Sequence, residues 1–156
     1  NYIKIRITSF FDNSSNSNSQ AEKASEAIID GGFFGKGIGE GTLNSKIPEA
    51  HTDYIVSVIA EEFGIVIIFL IMISLIFFAY KIFKKIRDTN DNLFKMILIG
   101  LISLLMMQAF VHVGVNLRVL PTTGMTLPYL SYGGSSIISI SIISGIILNL
   151  TKRRVY

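Results

Sequence analysis

Glu49, His51 and Asp53 crowd three titratable side chains into five residues of the segment IPEAHTDYIVSVIAEEFG, residues 47–64. Such a cluster can accept and release protons. It lies where a polar, glycine-rich stretch gives way to an uninterrupted apolar run, so the chemistry it suggests is proton transfer at a membrane surface. Pro48 ends any preceding helix and biases Ile47 to an extended conformation.

Two further groups of polar residues sit inside or beside apolar runs. Gln108, His112 and Asn116 recur every four residues, which stacks them on one stripe of a helix. Polar groups are costly in hydrocarbon, so this stripe is expected to face other spans or a watery cavity. His112 has two readings there, an interhelical hydrogen bond or a proton-transfer role. The other group is RVLPTTGMTLPYLSYGGSS, residues 118–136, where Pro121, Gly124, Pro128 and the Gly133-Gly134 pair forbid a continuous helix. Irregular backbone at this depth is tolerated only against protein or water, so the segment is expected to line a site. Ser131, Tyr132, Ser135 and Ser136 place hydroxyls around a new helix start. Free N–H groups there could meet an anion such as a diphosphate, or Ser131 or Ser135 could simply cap the helix.

The elements that must position these residues are membrane spans. Half of the residues are apolar and only 16% are charged, and the apolar ones cluster in blocks, which excludes the ordinary aqueous globular class. Residues 63–80, 96–117 and 133–150 are each long and uncharged enough to cross a hydrocarbon core as a helix. Lys81, Lys84, Lys85, Arg87 and Lys95 fall between the first two runs, and Lys152, Arg153 and Arg154 follow the third. The positive-inside rule makes both places cytoplasmic and puts residues 1–60 and the 118–132 connection on the opposite face. The net charge of +3 is therefore accounted for by topology, and basic residues interleaved with aromatics, as nucleic-acid binding requires, are absent. With no cysteine in the chain, thiolate metal sites and disulfides are excluded. The chain begins at Asn1 with no signal peptide, so residues 1–60 are expected to need an upstream span to reach the far side, as in a piece of a longer protein.

Along the chain, residues 1–11 alternate weakly, as a short strand or the end of an earlier helix would. Residues 12–19 form an Asn/Ser tract that reads as loop. Ser19 and Glu22 have capping-box spacing and Gly31 supplies a stop, which predicts a surface helix over 20–30. GGFFGKGIGEG, residues 31–41, invites a phosphate-loop reading, but Asp30 stands where the motif needs glycine and Gly37 where it needs a hydroxyl. It is expected instead to dip toward the membrane, with Phe33, Phe34 and Ile38 in the interface and glycines allowing close backbone contacts. Glu61 and Glu62 are expected at the water interface or paired within the bundle. Ser141, Gly145 and Asn149 form a stripe expected to permit close helix packing.

IPEAHTDYI, AEEFG, QAFVHVGVNLRVLPTTGMTLPYLSYGGSS and GGFFGKGIGEG together resemble the C-terminal part of the FtsW/RodA/SpoVE family, the SEDS proteins, over nearly the whole chain. The combination of LPxxGxxLPxxSYGGSS with PEAHTD is specific to that family. The resemblance implies an all-α membrane protein, a polytopic helical bundle of which this chain holds the last three transmembrane helices and a large extracytoplasmic loop. The corresponding division is a loop to residue 62, spans at 63–82, 96–117 and 133–150, connections at 83–95 and 118–132, and a cytoplasmic tail.

The resemblance also implies a glycosyltransferase of the bacterial plasma (inner) membrane that polymerises lipid II into glycan strands with a class B penicillin-binding transpeptidase and other division proteins, and without nucleic acid. Competing readings are a lipid II flippase and an inactive fragment of a split gene. The family's essential aspartate carries over to Asp53; periodicity alone would not select it over Glu49. Asp53 is then the general base, its alternative role being to cap the following helix. Glu49 and His51 are candidates to orient Asp53 or to help hold a divalent cation such as Mg2+. Gln108, Asn116, Arg118, Thr123, Ser131 and Ser135 are the further candidates for substrate contact, with Arg118 read either as a diphosphate ligand or as a snorkelling anchor. Thr123 stands where division-type members usually carry lysine, a rod-type feature, whereas Met125-Thr126-Leu127 and Gly114-Val115-Asn116-Leu117 look division-type.

Overall fold

The computed structural model describes residues 16–47 and 50–152, which fold entirely into helices and their connections. They are α1 (Asn16–Gly31), α2 (Leu43–Lys46), α3 (Ile55–Phe63), α4 (Ile65–Arg87), α5 (Asn92–Asn116) and α6 (Gly134–Thr151). The expectations for residues 1–11, and for Glu49, lie outside the described residues.

Helices α4, α5 and α6 are long and apolar enough to cross a membrane. α5 is the middle helix, with α4 and α6 packed on it. Ala79, Ile82 and Ile86 of α4, Leu98, Ile102 and Leu105 of α5, and Ile140 and Ile147 of α6 make one buried cluster. Outward faces such as Phe69, Leu70, Ile73, Phe77 and Ile142 remain exposed, as a hydrocarbon solvent requires.

The expected 83–95 loop is mostly helix. α4 runs on to Arg87 and α5 starts at Asn92, leaving only residues 88–91 between them. Lys84, Lys85 and Arg87 in the last turn favour the negative end of the α4 dipole. Asp91 caps α5 by accepting from Leu93 N at 2.9 Å. The Ser141, Gly145 and Asn149 stripe does not pack against the described helices. All three are exposed, and a Cβ on Gly145 would meet nothing within 4 Å.

On the other side of the bundle, α1 lies on α3. Ala21, Ala24 and Ala27 share one face of α1 and are buried with Leu43, Ile47, Ala50, Tyr54, Val58 and Val115. The helix is a turn longer than the capping-box reading allowed, beginning at Asn16 within the Asn/Ser tract. Burial of this alanine face outweighs the weak helix propensity of Asn and Ser.

The glycine-rich loop after α1 caps the end of α3. Lys36 N donates to Glu61 O at 2.8 Å and Gly37 N to Glu62 O at 3.1 Å, while Ile65 N at the head of α4 donates to Gly32 O at 3.0 Å. Glycine is needed where the backbones meet. Gly35 has φ +77°, and a Cβ there would collide with the Glu62 carbonyl; Gly64, at φ +83°, faces the Phe33 carbonyl in the same way. Close backbone contact is thus the loop's function in the fold, and Phe33, Phe34 and Ile38 project from it, exposed.

Glu61 ties both ends of the loop to α3. Its carboxylate, 1% exposed, accepts from Lys36 Nζ at 3.2 Å, Thr42 N at 3.0 Å, Thr42 Oγ1 at 3.2 Å and Leu43 N at 3.0 Å. Burial by itself would raise this carboxyl, but the bonds from the Thr42 and Leu43 main chain and the Lys36 and Thr42 side chains outweigh it and hold it below the ordinary 4.5. Glu61, and after it Asp30 at 3.2 Å, in turn raises the Lys36 ammonium above its usual value. The expected pairing of Glu61 is therefore to a loop.

Gly35→Ala forces left-handed backbone on alanine, about 1–2 kcal/mol, and adds the clash with Glu62, so the melting temperature of the reconstituted protein should fall by several degrees; an unchanged value contradicts the packing. The pH dependence has a definite sign. A carboxyl whose folded-state pKa lies below its unfolded value stabilises fully above that unfolded value, near 4.5, and loses the contribution as pH falls through the folded one. Hydrogen-exchange protection at Thr42 and Leu43 should therefore hold from neutral pH to about 4.5 and drop below it. Protection that is indifferent to acid would show that the Glu61 bonds are absent.

Candidate active site

The site forms where the C-terminal end of α5 meets the segment before α3. α5 ends at Asn116, and the chain turns back through Arg118, a non-glycine residue at φ 57°, with Val119 N and Leu120 N both donating to Gly114 O at 2.8 and 3.1 Å. The returning proline-containing segment then runs beside the last turns of α5. Each residue of the polar stripe holds a different piece of it or of its neighbour.

Gln108 Nε2 donates to Thr126 O at 2.9 Å and to Thr126 Oγ1 at 3.2 Å. His112, 1% exposed, contacts Met125 O through Nδ1 at 2.6 Å; a carbonyl can only accept, so Nδ1 carries the proton. Its Nε2 has no hydrogen-bond partner among the described residues. Asn116, fully buried, donates from Nδ2 to Asp53 O at 3.0 Å and to His112 O at 2.9 Å. Its Oδ1 accepts from Ser57 N at 3.2 Å and Ser57 Oγ at 2.8 Å. Since Ser57 N–H can only donate, the orientation of the amide is settled, and its hydrogen-bonding capacity is fully used.

The other ties come from the segment before α6. Ser131 Oγ, on a residue 5% exposed, donates to Thr52 O at 2.9 Å and accepts from Leu127 N at 2.7 Å. Tyr132 N donates to His51 O at 3.1 Å. The carbonyls of His51, Thr52 and Asp53 are therefore each bonded, in sequence order, to Tyr132, Ser131 and Asn116. Three consecutive bonds to elements distant in sequence leave this backbone little freedom, so the Asp53 side chain projects from a fixed point.

That side chain is half-buried, and a Cβ built on Gly124 would touch its Oδ2 at 3.6 Å. Gly124, at φ +68°, brings the returning backbone alongside the carboxylate without a side chain to crowd it. Asp53 stands one residue before Tyr54, which occupies the N-cap position of α3.

The sequence-derived candidates thus separate. Asp53 and His51 come together on the ordered turn, with His51 exposed. Asn116 and Ser131 are buried with their bonds made to protein, and they hold the turn. Gln108 likewise holds Thr126. Arg118 pairs at 3.7 Å with Glu22 of α1, while Thr123 and Ser135 are exposed. Neither Ser131 nor Ser135 caps α6, whose N-cap is Gly133 without a side-chain bond. Among the described residues no three His, Cys, Asp or Glu side chains converge, and Glu49, the other candidate to help hold a divalent ion, lies outside them. Sequence reasoning missed Ser57, and it read Gly124 only as a helix breaker and Tyr132 only as a hydroxyl. The four-residue spacing of α5 was the signal for the stripe, but nothing in the sequence named its partners.

The arrangement has relatives. The chain is 36% identical to a "Probable peptidoglycan glycosyltransferase FtsW" of Caulobacter vibrioides over 98% of its own length and 39% of that protein's. It is 39% identical to a protein of the same description from Bacillus subtilis, over 80% of this chain and 31% of the relative. A solved chain described under "Structural coordination of polymerization and crosslinking by a peptidoglycan synthase complex" superposes with a TM-score of 0.73 at 28% identity, covering 96% of this chain and 41% of that one. The chain therefore spans less than half the length of these relatives, and its three long apolar helices are those of a multi-pass membrane protein. The family described as "Cell cycle protein", FtsW/RodA/SpoVE, matches residues 1–156 throughout, and the chain belongs to it.

Proposed function

We propose that the protein is a peptidoglycan glycosyltransferase that joins isoprenoid-diphosphate-linked disaccharides, lipid II, into glycan strands, with Asp53 as the general base. The observation that carries this reading is a half-buried carboxylate on a turn fixed by three consecutive backbone carbonyls. That turn belongs to a chain whose relatives are described as glycosyltransferases. The same relatives favour service at division over elongation. A transpeptidase is the partner proposed, in line with the coupling of polymerization and crosslinking for which the solved synthase complex is described.

In this mechanism Asp53 takes the proton of the acceptor sugar hydroxyl as its oxygen bonds to the donor's anomeric carbon. The bond from that carbon to the diphosphate oxygen breaks, and its electron pair leaves with the isoprenoid diphosphate. A base must be aimed before substrate arrives, since about 10²–10⁴ of rate depends on its geometry and protonation. The carbonyl ties perform that aiming. The basic residues that follow the apolar runs support, by the positive-inside rule, a reading with Asp53 on the extracytoplasmic side, where a finished glycan is needed.

Asp53→Asn in the reconstituted protein should lower polymer formation from lipid II by at least about 100-fold with an unchanged melting temperature. A well-folded variant that polymerises at the normal rate removes Asp53 as the base, and labelled lipid II crossing vesicles with no polymer made by the parent protein would favour a lipid carrier instead. Asn116→Ala leaves Ser57 N, Ser57 Oγ and the Asp53 carbonyl without their buried partner, at about 2–3 kcal/mol. Turnover should fall at least tenfold while the KM changes little, because the amide's bonds are all made to protein. Full activity in this variant would mean that Asp53 is aimed by something else.

A further inference from the structure

Tyr132 contributes to the carbonyl ties only through its backbone N–H, which any residue except proline would supply. Its ring has no part in them and stands 78% exposed. Beside it is a cavity of about 370 Å³ lined by His51, Ile55, Leu130 and Tyr132, within the range of roughly 300–1,000 Å³ seen for small-molecule sites. His51 and Ile55 lie two residues to either side of Asp53, so the cavity adjoins the turn that carries the base. Other cavities, of about 670 and 340 Å³, lie among the spans behind walls that are almost wholly hydrocarbon.

Resting on the glycosyltransferase reading, we infer that the cavity beside Asp53 is a saccharide site in which the Tyr132 ring stacks on a pyranose of the acceptor. A pyranose presents an apolar face of axial C–H bonds and a rim of hydroxyls. The Tyr132 ring, with Ile55 and Leu130, supplies the surface for the face, and the exposed His51 imidazole supplies a hydrogen-bonding edge for the rim. The spans' cavities lack that edge. A ring seated here lies against the turn that carries Asp53, and the bond from Tyr132 N to His51 O holds base and platform in one frame.

The test separates ring, hydroxyl and backbone. In the reconstituted protein, with lipid II as the probe, Tyr132→Phe keeps the ring and should keep KM within about twofold. Tyr132→Ala should raise KM about tenfold, the equivalent of about 1.4 kcal/mol, with kcat within about threefold and the melting temperature unchanged, because the N–H to His51 remains. An unchanged KM in Tyr132→Ala overturns the site, and so does a loss of kcat and melting temperature together, which marks a structural role. Binding of fluorescent lipid II to Asp53→Asn, compared with Asp53→Asn/Tyr132→Ala, reads the platform without turnover. Weaker binding in the double variant supports it even if Asp53 proves not to be the base, and equal binding refutes it while leaving the base assignment standing.

Discussion

The side-chain amide of Asn116 joins three pieces of the chain through one buried group. It bonds the carbonyl ahead of α3, the first turn of α3 through Ser57, and its own helix through the His112 carbonyl. Because the group is fully buried, each of these bonds lies in a medium where an unmade one is costly. Movement of α5 relative to α3 would break several at once. Ser131 and Tyr132 repeat the device on the two preceding carbonyls, so the turn that carries Asp53 is held at every residue from 51 to 53. A carboxylate on an ordinary surface loop would be free to sample many directions; here the backbone is fixed by bonds from the span bundle.

The same helix is held from its other end by different means. Around the end of α3 the ties are backbone contacts allowed by glycine and the buried Glu61 carboxylate, which gathers Lys36, Thr42 and Leu43. This short helix of nine residues is thus bounded by an amide network at its start and a carboxylate network at its end. Length and propensity alone would leave so short a helix marginal in water. The arrangement converts the rigidity of a membrane bundle into a defined position for a group outside it, while the α1 alanines cover the third side.

Much of this was legible before any coordinates, and the reasons differ from part to part. The spans follow from uninterrupted apolar length, a signal set by bilayer thickness, and their ends differ by only a few residues because basic side chains continue the helices past the apolar runs. The stripe of Gln108, His112 and Asn116 was visible as period-four spacing, yet its role was not. Spacing says which residues share a face, whereas partners are chosen by where a loop of prolines and glycines returns. Asn116 and Ser131 therefore read as substrate contacts in the sequence and act as supports in the fold. Asp53 was reached through motif resemblance and not through pattern, since Glu49 has equal claim on chemistry alone. Tyr132 stood out only as one hydroxyl among several, because whether a ring is buried or presented to solvent is a tertiary property.

The central claim is that the Asp53 backbone is fixed to the end of α5 by Asn116, and a distance can test it directly. Solid-state NMR dipolar recoupling in lipid bilayers, with ¹³C at the Asp53 carbonyl and ¹⁵N at the Asn116 side chain, measures whether the two groups meet. A nitrogen 3.0 Å from the carbonyl oxygen predicts strong recoupling between the labelled atoms. Absence of that coupling in folded protein would place the amide beyond hydrogen-bond reach and contradict the account.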